Sequence, residues 1–441
     1  MMKRLFASGL ALTLILLIPG PGLAAVAGQV VTSPGGITAW LVEDRTNPML
    51  SVQLAFRGGT QLDPDGKQGL ARMAMGLLDE GAGDLDARAF ATRLEDLAVS
   101  LSFDAGGESL SASLRTLTET RDDAFALLRL ALTKPRFDDE PVARVRNQLE
   151  VMLKRDEEEP DDVASEALFA GLFPGHAYGR SSRGTLEGVA AITLGDLKTF
   201  AATRFARDNL VIGVVGDIGA DELAGLLDRT FADLPAKAAP WVLPKVAAKS
   251  TGLKVIERAV PQSAITFAAP GVTRHHADFF PLYVLNHMLG GGGFTSRLYD
   301  EVREKRGLAY SVGTYLYTLD KAGLLLGNTG TRNESVAETL AVIRDVWTRS
   351  HDKGFSQAEL DDAKTYLTGS YPLRFSSSGA IAGILVGLQL DGIGLDYLDK
   401  RNSYIDAVTL ADVNRVAKKY LDPTKLSLVV VGQPEGLPAT R

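Results

Sequence analysis

Histidine and cysteine supply most transition-metal ligands and much of the acid–base and nucleophilic chemistry available near neutral pH. This chain has no cysteine and five histidines: His176, His275, His276, His287 and His351. Without cysteine there are no disulfides, thiolate zinc sites, iron–sulfur clusters, cysteine nucleophiles or cysteine-linked lipid anchors. No histidine precedes position 176, and His275, His276 and His287 show no E-x-x-H or H-x-x-E spacing. His275-His276 reads as a solvent-facing helix start, His287 beside Met288-Leu289 as packed or exposed, and His176 after Pro174-Gly175 as shaping a loop. The run Gly290-Gly291-Gly292-Gly293 lacks the Gly-Lys-Ser/Thr ending that sets a lysine on phosphate, and reads as a flexible connection between two helices. The charged stretch Glu301 to Arg306, followed by Tyr310, also holds groups that can bind polar ligands, though its spacing alone does not set it apart. Arg303 is a fixed fork of donors for a carbonyl or carboxylate, and Tyr310 is a phenolic donor at neutral pH. Gly307 should end the helix carrying Arg303, with Tyr310 on the next strand, so that both can face one cleft. Judged alone, such an arginine usually makes surface pairs worth under about 1 kcal/mol, and such a tyrosine packs between strand and helix.

The elements that would position these groups belong to a folded chain of 441 residues with 45% hydrophobic and 23% charged composition. That mixture excludes a disordered or collagen-like chain, and the length calls for two or more domains. With 47 Lys and Arg against 54 Asp and Glu, the net charge is −7, which argues against a nucleic-acid partner. Residues 1–27 read as a signal peptide: Lys3 and Arg4, an apolar run from Leu10 to Ile18, a break at Pro19 to Gly22, then small residues with cleavage after Ala25 or Ala27. The apolar run is short of the roughly 20 residues a membrane span needs. The apolar part of Ala380 to Leu390 is also short and broken by glycines, so no membrane association is expected after signal cleavage. Export to the periplasm is the simplest destination.

Thr193-Leu194-Gly195-Asp196-Leu197 matches Thr409-Leu410-Ala411-Asp412-Val413. The register then continues without a gap to Val214-Val215-Gly216 and Val430-Val431-Gly432. Both copies read as an amphipathic helix, a short loop and a buried strand ending in glycine. Strands are expected at Ile37–Glu43, Met49–Phe56, Ser100–Ala105 and Ser109–Thr116, and again at Leu253–Ile256, Ala264–Ala268, Leu308–Leu316 and Leu324–Thr331. Helices are expected at Gly69–Leu78, Pro141–Glu158, Phe279–Leu289, Ser296–Arg306 and Ser335–His351. Grouped strands followed by grouped helices indicate α+β architecture: two homologous domains, each a mostly antiparallel sheet with helices packed on one face. The boundaries are 28–234 and 251–441, joined by a linker at 235–250 that Pro235, Pro240 and Pro244 keep irregular.

The run Ser296-Arg297-Leu298-Tyr299, continued by Val302-Arg303-Glu304-Lys305-Arg306-Gly307-Leu308-Ala309-Tyr310-Ser311-Val312, resembles the C-terminal half of pitrilysin/insulinase-type zinc peptidases. The mitochondrial processing peptidase is of that group. The resemblance covers nearly all of the chain after residue 27, including Gly290 to Gly293 and Phe173-Pro174-Gly175-His176. Active members carry H-x-x-E-H on the first helix of the first half, where two histidines one turn apart bind zinc and the glutamate activates a water. Aligned on Gly69-Leu70-Ala71, this chain has Arg72 and Gly76 at the histidine positions and Met75 at the glutamate position. The third ligand falls near Met152, with Glu150 a near miss. The resemblance therefore implies no metal on this chain, and zinc on a partner.

It also implies roles for what is kept. Arg303 and Tyr310 match the pair that these peptidases bring from the second half to a substrate at the zinc, and Gly290 to Gly293 match a mobile loop facing the substrate chamber. Gly58-Gly59 ends a strand that, in active chains, pairs with the extended peptide. The acidic run Asp156 to Asp162 reads as a solvated helix end. The pattern resembles the non-catalytic subunit of a heterodimeric zinc endopeptidase, which completes a peptide chamber beside a homologous subunit bearing H-x-x-E-H. The alternative is a metal-free peptide-binding or scaffold protein with no peptidase partner.

Overall fold

The computed structural model describes residues 27–437 and Thr440. The signal peptide expected at 1–27 lies, except for Ala27, outside the described residues. The first half forms a sheet ordered Gly28–Thr32, Thr38–Glu43, Leu210–Gly216, Met49–Arg57, Ser109–Leu117, Ser100–Ala105. The second is ordered Leu253–Glu257, Ser427–Gly432, Gln262–Pro270, Gly323–Arg332, Ala309–Thr318. From Thr38–Glu43 onward the two orders correspond strand for strand. Each has one parallel contact, Thr38–Glu43 with Leu210–Gly216 and Leu253–Glu257 with Ser427–Gly432, and the other pairs are antiparallel. Gly28–Thr32, an addition at one edge of the first sheet, was not expected from the sequence.

Capping chemistry repeats in the same register. Thr193 Oγ1 accepts the Asp196 N–H (3.2 Å) while Asp196 Oδ2 accepts the Thr193 N–H (2.8 Å). Thr409 and Asp412 make the same reciprocal bonds at 3.1 and 3.2 Å. Each box satisfies donors that a helix start leaves open, which is why the matched Thr-x-x-Asp residues begin helices Leu194–Arg204 and Leu410–Tyr420.

One face of each sheet is covered by the helices of its own half. Leu50, Val52, Leu54 and Phe56 point into a core with Phe90, Phe125, Leu128 and Phe231. Phe267, Leu428 and Val430 join Leu285, Ile343, Trp347 and Val416 in the second. The opposite faces are covered by exchange. Helix Pro160–Leu172, from the first half, lays Ala164, Leu168 and Leu172 on Ala268, Leu326, Val429 and Val431 of the second sheet. Helix Ser378–Leu390, from the second half, lays Ala382, Leu385 and Leu388 on Val42 and Val215 of the first. Gly213 permits the close approach, because a Cβ there would stand 2.6 Å from the Ala382 carbonyl. Arg57 then donates to the carbonyls of Gln389 and Leu390 at the helix end. With both sides of Ser427–Gly432 covered, its unbroken apolar run is explained. Among the described residues no single helix is long and apolar enough to cross a membrane.

Met49–Arg57 is an interior strand, hydrogen-bonded to Leu210–Gly216 on one side and Ser109–Leu117 on the other. The N–H and C=O groups of the strand ending at Gly58-Gly59 are therefore already used within the sheet, which leaves none for pairing with a peptide. The free edges of that sheet are Gly28–Thr32 and Ser100–Ala105.

Because each half completes the other, unfolding should be one cooperative event. Calorimetry should show a single transition, and Leu168→Ala and Leu385→Ala should each cost about 2–4 kcal/mol. Two halves melting separately in the unmodified chain would contradict this packing.

Candidate functional site

The position where the resemblance would put zinc is the helix Leu70–Met75. Asp63 holds its start, with its carboxylate accepting the Gly69 and Ala71 N–H groups at 2.8 and 3.0 Å. Asp63 is only 4% exposed, and this burial pushes its carboxyl up to about 6, against the pull of the two N–H bonds and of Arg204 and Arg180. The helix stops at Gly76, shorter than the sequence suggested. Met73, Ala74 and Met75 turn inward; Gly76 is exposed and Arg72 half-buried, with its Nε sealed from solvent and without a partner. Val145 of helix Asp139–Asp156 stands 3.6 Å from where a Gly76 Cβ would be. Met152 on the same helix is 49% exposed.

The second constellation lies in the second half. Arg297–Tyr299 forms one helical turn that widens into a π-helical turn over Asp300–Glu304, a local form that recurs at functional sites. Arg297 anchors its start, paired with Glu359 (2.6 Å) and stacked 4.0 Å over the Phe355 ring. Gly307, at φ +62°, closes the segment by donating to the Arg303 carbonyl at 2.8 Å. Within this charged run Lys305, Arg306 and Arg349 all converge on Glu301, whose carboxyl they hold down near 2. Arg303 is left out of that network; its nearest carboxylate is Glu304, at 3.9 Å.

Aromatic rings hold Arg303 instead. Its guanidinium carbon lies 4.6 Å from the Tyr310 ring centroid, 4.9 Å from Tyr299 and 5.5 Å from Phe294. Tyr310 occupies a bulge in the edge strand Ala309–Thr318, where pairing passes from Ala309–Thr331 to Val312–Thr329, so that Tyr310 and Ser311 together lie opposite Gly330 alone. Thr329 and Thr331 hydroxyls satisfy the Ser311 and Leu308 carbonyls at 2.7 and 2.6 Å. A bulge re-aims its side chains, and Tyr310 stands 83% exposed. Arg303 and Tyr310 thus stand together, as the helix–glycine–strand spacing implied, while the cage around Arg303 was not foreseen. Tyr299, one turn before Arg303, was the available signal for it; the π-turn and the bulge left none.

The glycine run is built for contact. A Cβ on Gly290 would stand 2.6 Å from Thr314 Oγ1, on Gly291 2.5 Å from Asn286 Nδ2, and on Gly292 2.8 Å from the His287 carbonyl. Close packing thus explains the first three glycines better than mobility, and Gly293 alone takes a left-handed turn, at φ +55°. Of the other histidines, His176 bonds the Tyr178 N–H and pairs with the Pro244 carbonyl, and His276 accepts the Asp278 N–H.

Residues 191–367 match the family model described as "Peptidase M16 inactive domain". The chain is 30% identical over 390 residues to the "Non-peptidase homolog YmxG" of Helicobacter pylori, covering 88% of this chain and 90% of that protein. The chain belongs to the M16 peptidase family. A crystal structure of a peptidase M16 inactive domain from Pseudomonas fluorescens superposes at TM-score 0.87 with 31% identity, over 94% of this chain and 99% of that one. A protease structure from Helicobacter pylori shares the fold at TM-score 0.82 and 20% identity, over 92% and 99%. Zinc does not fit the M16 metal position here. A guanidinium repels a cation, a buried thioether and a glycine supply no hard or borderline donor, and Met152 brings no carboxylate. Among the described residues no group of three or more His, Asp or Glu could hold a metal ion.

Asp63 gives this helix a pH signature. A carboxyl raised from 3.8 to about 6 by folding binds its proton more tightly in the native state. Stability should therefore be greatest below about pH 4 for this group and fall by up to about 3 kcal/mol as pH rises through 6. Denaturant titrations should show that fall in the unmodified chain and its loss in Asp63→Asn; parallel pH profiles would refute it.

Proposed function

We propose that this M16 chain is the non-catalytic subunit of a periplasmic heterodimeric zinc endopeptidase. A homologous partner bearing H-x-x-E-H would hold the zinc, and this chain would complete the peptide chamber and bring Arg303 and Tyr310 to the partner's site. The observation that carries the reading is the contrast between the two constellations. The metal position is filled by Arg72, Met75 and Gly76, while Arg303 is kept out of every strong ion pair and held over an exposed Tyr310 on a purpose-built bulge. An arginine held by stacking and one long 3.9 Å contact to Glu304 keeps donors available for a substrate carbonyl or carboxylate, and an exposed phenol can donate to an oxygen gaining negative charge. The matching strand order of 28–234 and 251–441 supports reading them as two homologous domains. Signal-like residues 1–27 support the periplasmic assignment. A metal-free peptide-binding or scaffold role is the second reading, favoured by the relative that is named a non-peptidase homolog.

Steady-state kinetics of the reconstituted pair test the reading. Tyr310→Phe and Arg303→Ala should lower kcat/KM on the order of a hundredfold, the scale of losing one transition-state hydrogen-bond donor, without preventing assembly. Unchanged kinetics in both variants would remove the catalytic role.

A further inference from the structure

A cavity of about 240 Å³ lies among helices Phe279–Asn286, Gln357–Gly369 and Tyr397–Asp406, and Gly291 forms part of its wall. It contains a cation that its surroundings do not neutralise. Arg401 is 4% exposed, and its guanidinium donates to the Leu367 carbonyl (2.9 Å), Asn402 Oδ1 (3.0 Å) and the Tyr283 hydroxyl (3.2 Å). All three partners are uncharged. Tyr371 and Tyr283 flank it at 4.3 and 5.8 Å, a weaker compensation than a carboxylate. Asp399, the carboxylate that acts on Tyr371, is exposed and does not line the cavity.

The rest of the lining adds donors and no acid. Arg374 stands exposed at the cavity, and no Asp or Glu is among the lining residues. His287 is buried and stacked 5.0 Å from the Tyr366 ring, and burial keeps it below the usual histidine range, so that it is a neutral ring. Asn286 is buried beside it with its Oδ1 unpartnered; an amide can turn over to offer an N–H instead. Buried charges are ordinarily paired or bound to a counter-ion. Two arginines, tyrosine rings and about 240 Å³ suit a small acid with a short apolar stem.

We propose that this cavity binds a small oxyanion-bearing ligand, with Arg401 and Arg374 receiving the oxyanion and the tyrosines receiving its apolar part. A carboxylate of the kind at the C-terminus of a short peptide, and inorganic phosphate, share that chemistry. Since His287 and Gly291 belong both to this wall and to the π-turn His287–Gly291 that opens the glycine run, an occupant bears on the same segment that leads to Phe294 and the Arg303 cage. The assignment does not depend on the chain having a peptidase partner.

Calorimetric titration of the full chain with N-acetyl-leucine, its uncharged amide and inorganic phosphate tests this. N-acetyl-leucine should bind saturably and the amide should not. Arg374→Ala should weaken binding about tenfold, as expected for one charge-assisted contact, and Arg401→Lys should abolish it. Arg374 is exposed, so that variant remains informative should Arg401→Lys fold poorly. Saturation by phosphate alone would keep the oxyanion site and assign its source. No saturation by either anion up to about 10 mM, equal binding of acid and amide, or unchanged affinity in Arg374→Ala would overturn it.

Discussion

Each half of this chain leaves one face of its sheet without cover from its own helices, and each covers the other's. Helices Pro160–Leu172 and Ser378–Leu390 cross in opposite directions, so neither sheet is complete until both halves have folded. The exchange sets several residues that would otherwise look arbitrary. Gly213 leaves room for the Ala382 carbonyl, and Arg57 receives the end of the crossing helix. The seam is sealed further by Tyr178, which donates to Glu108 and accepts the Lys321 N–H, while Glu108 accepts the Asp320 N–H. The two halves therefore share one continuous packed and hydrogen-bonded seam.

The two candidate positions have gone opposite ways. The first-half helix keeps its cap and its packing but not its donors: Met75 has turned into core and Arg72 has brought a fixed charge. The second-half segment keeps unusual backbone, a π-turn before Arg303 and a bulge under Tyr310, at positions where plain helix and strand would have been simpler. Irregular backbone weakens local pairing, and it persists here because Gly307, Thr329 and Thr331 satisfy the groups it leaves open. Arg303 is held by three ring faces with its nearest carboxylate at 3.9 Å, which fixes its place while leaving its charge largely unspent.

The fold was largely legible because its signals are local. The Thr-x-x-Asp boxes at 193 and 409 announce helix starts, and the valine runs ending at Gly216 and Gly432 announce covered strands. Helix exchange was not legible, since an apolar helix such as Ser378–Leu390 states that it will be buried but not against which sheet. The same limit applies to Met49–Phe56, whose alternation identifies a strand but not that it is interior. At the candidate site, spacing implied that Arg303, Gly307 and Tyr310 follow one another on a helix, a turn and the next strand, but only the resemblance singled out the pair. Phe294, Tyr299 and the bulge depend on a register shift and a π-turn that no periodicity encodes. Gly290 to Gly292 looked like freedom in sequence and are contact in space, because composition alone cannot distinguish the two uses of glycine.

The central claim is that this chain's missing metal chemistry is supplied by another chain. It is tested most directly by capturing the tagged protein from its native compartment, identifying the co-purifying chains and measuring zinc per complex. The account predicts one equimolar homologous partner carrying H-x-x-E-H, with one zinc per pair. Zinc bound stoichiometrically to this chain alone, or a native form with neither partner nor zinc, would contradict it.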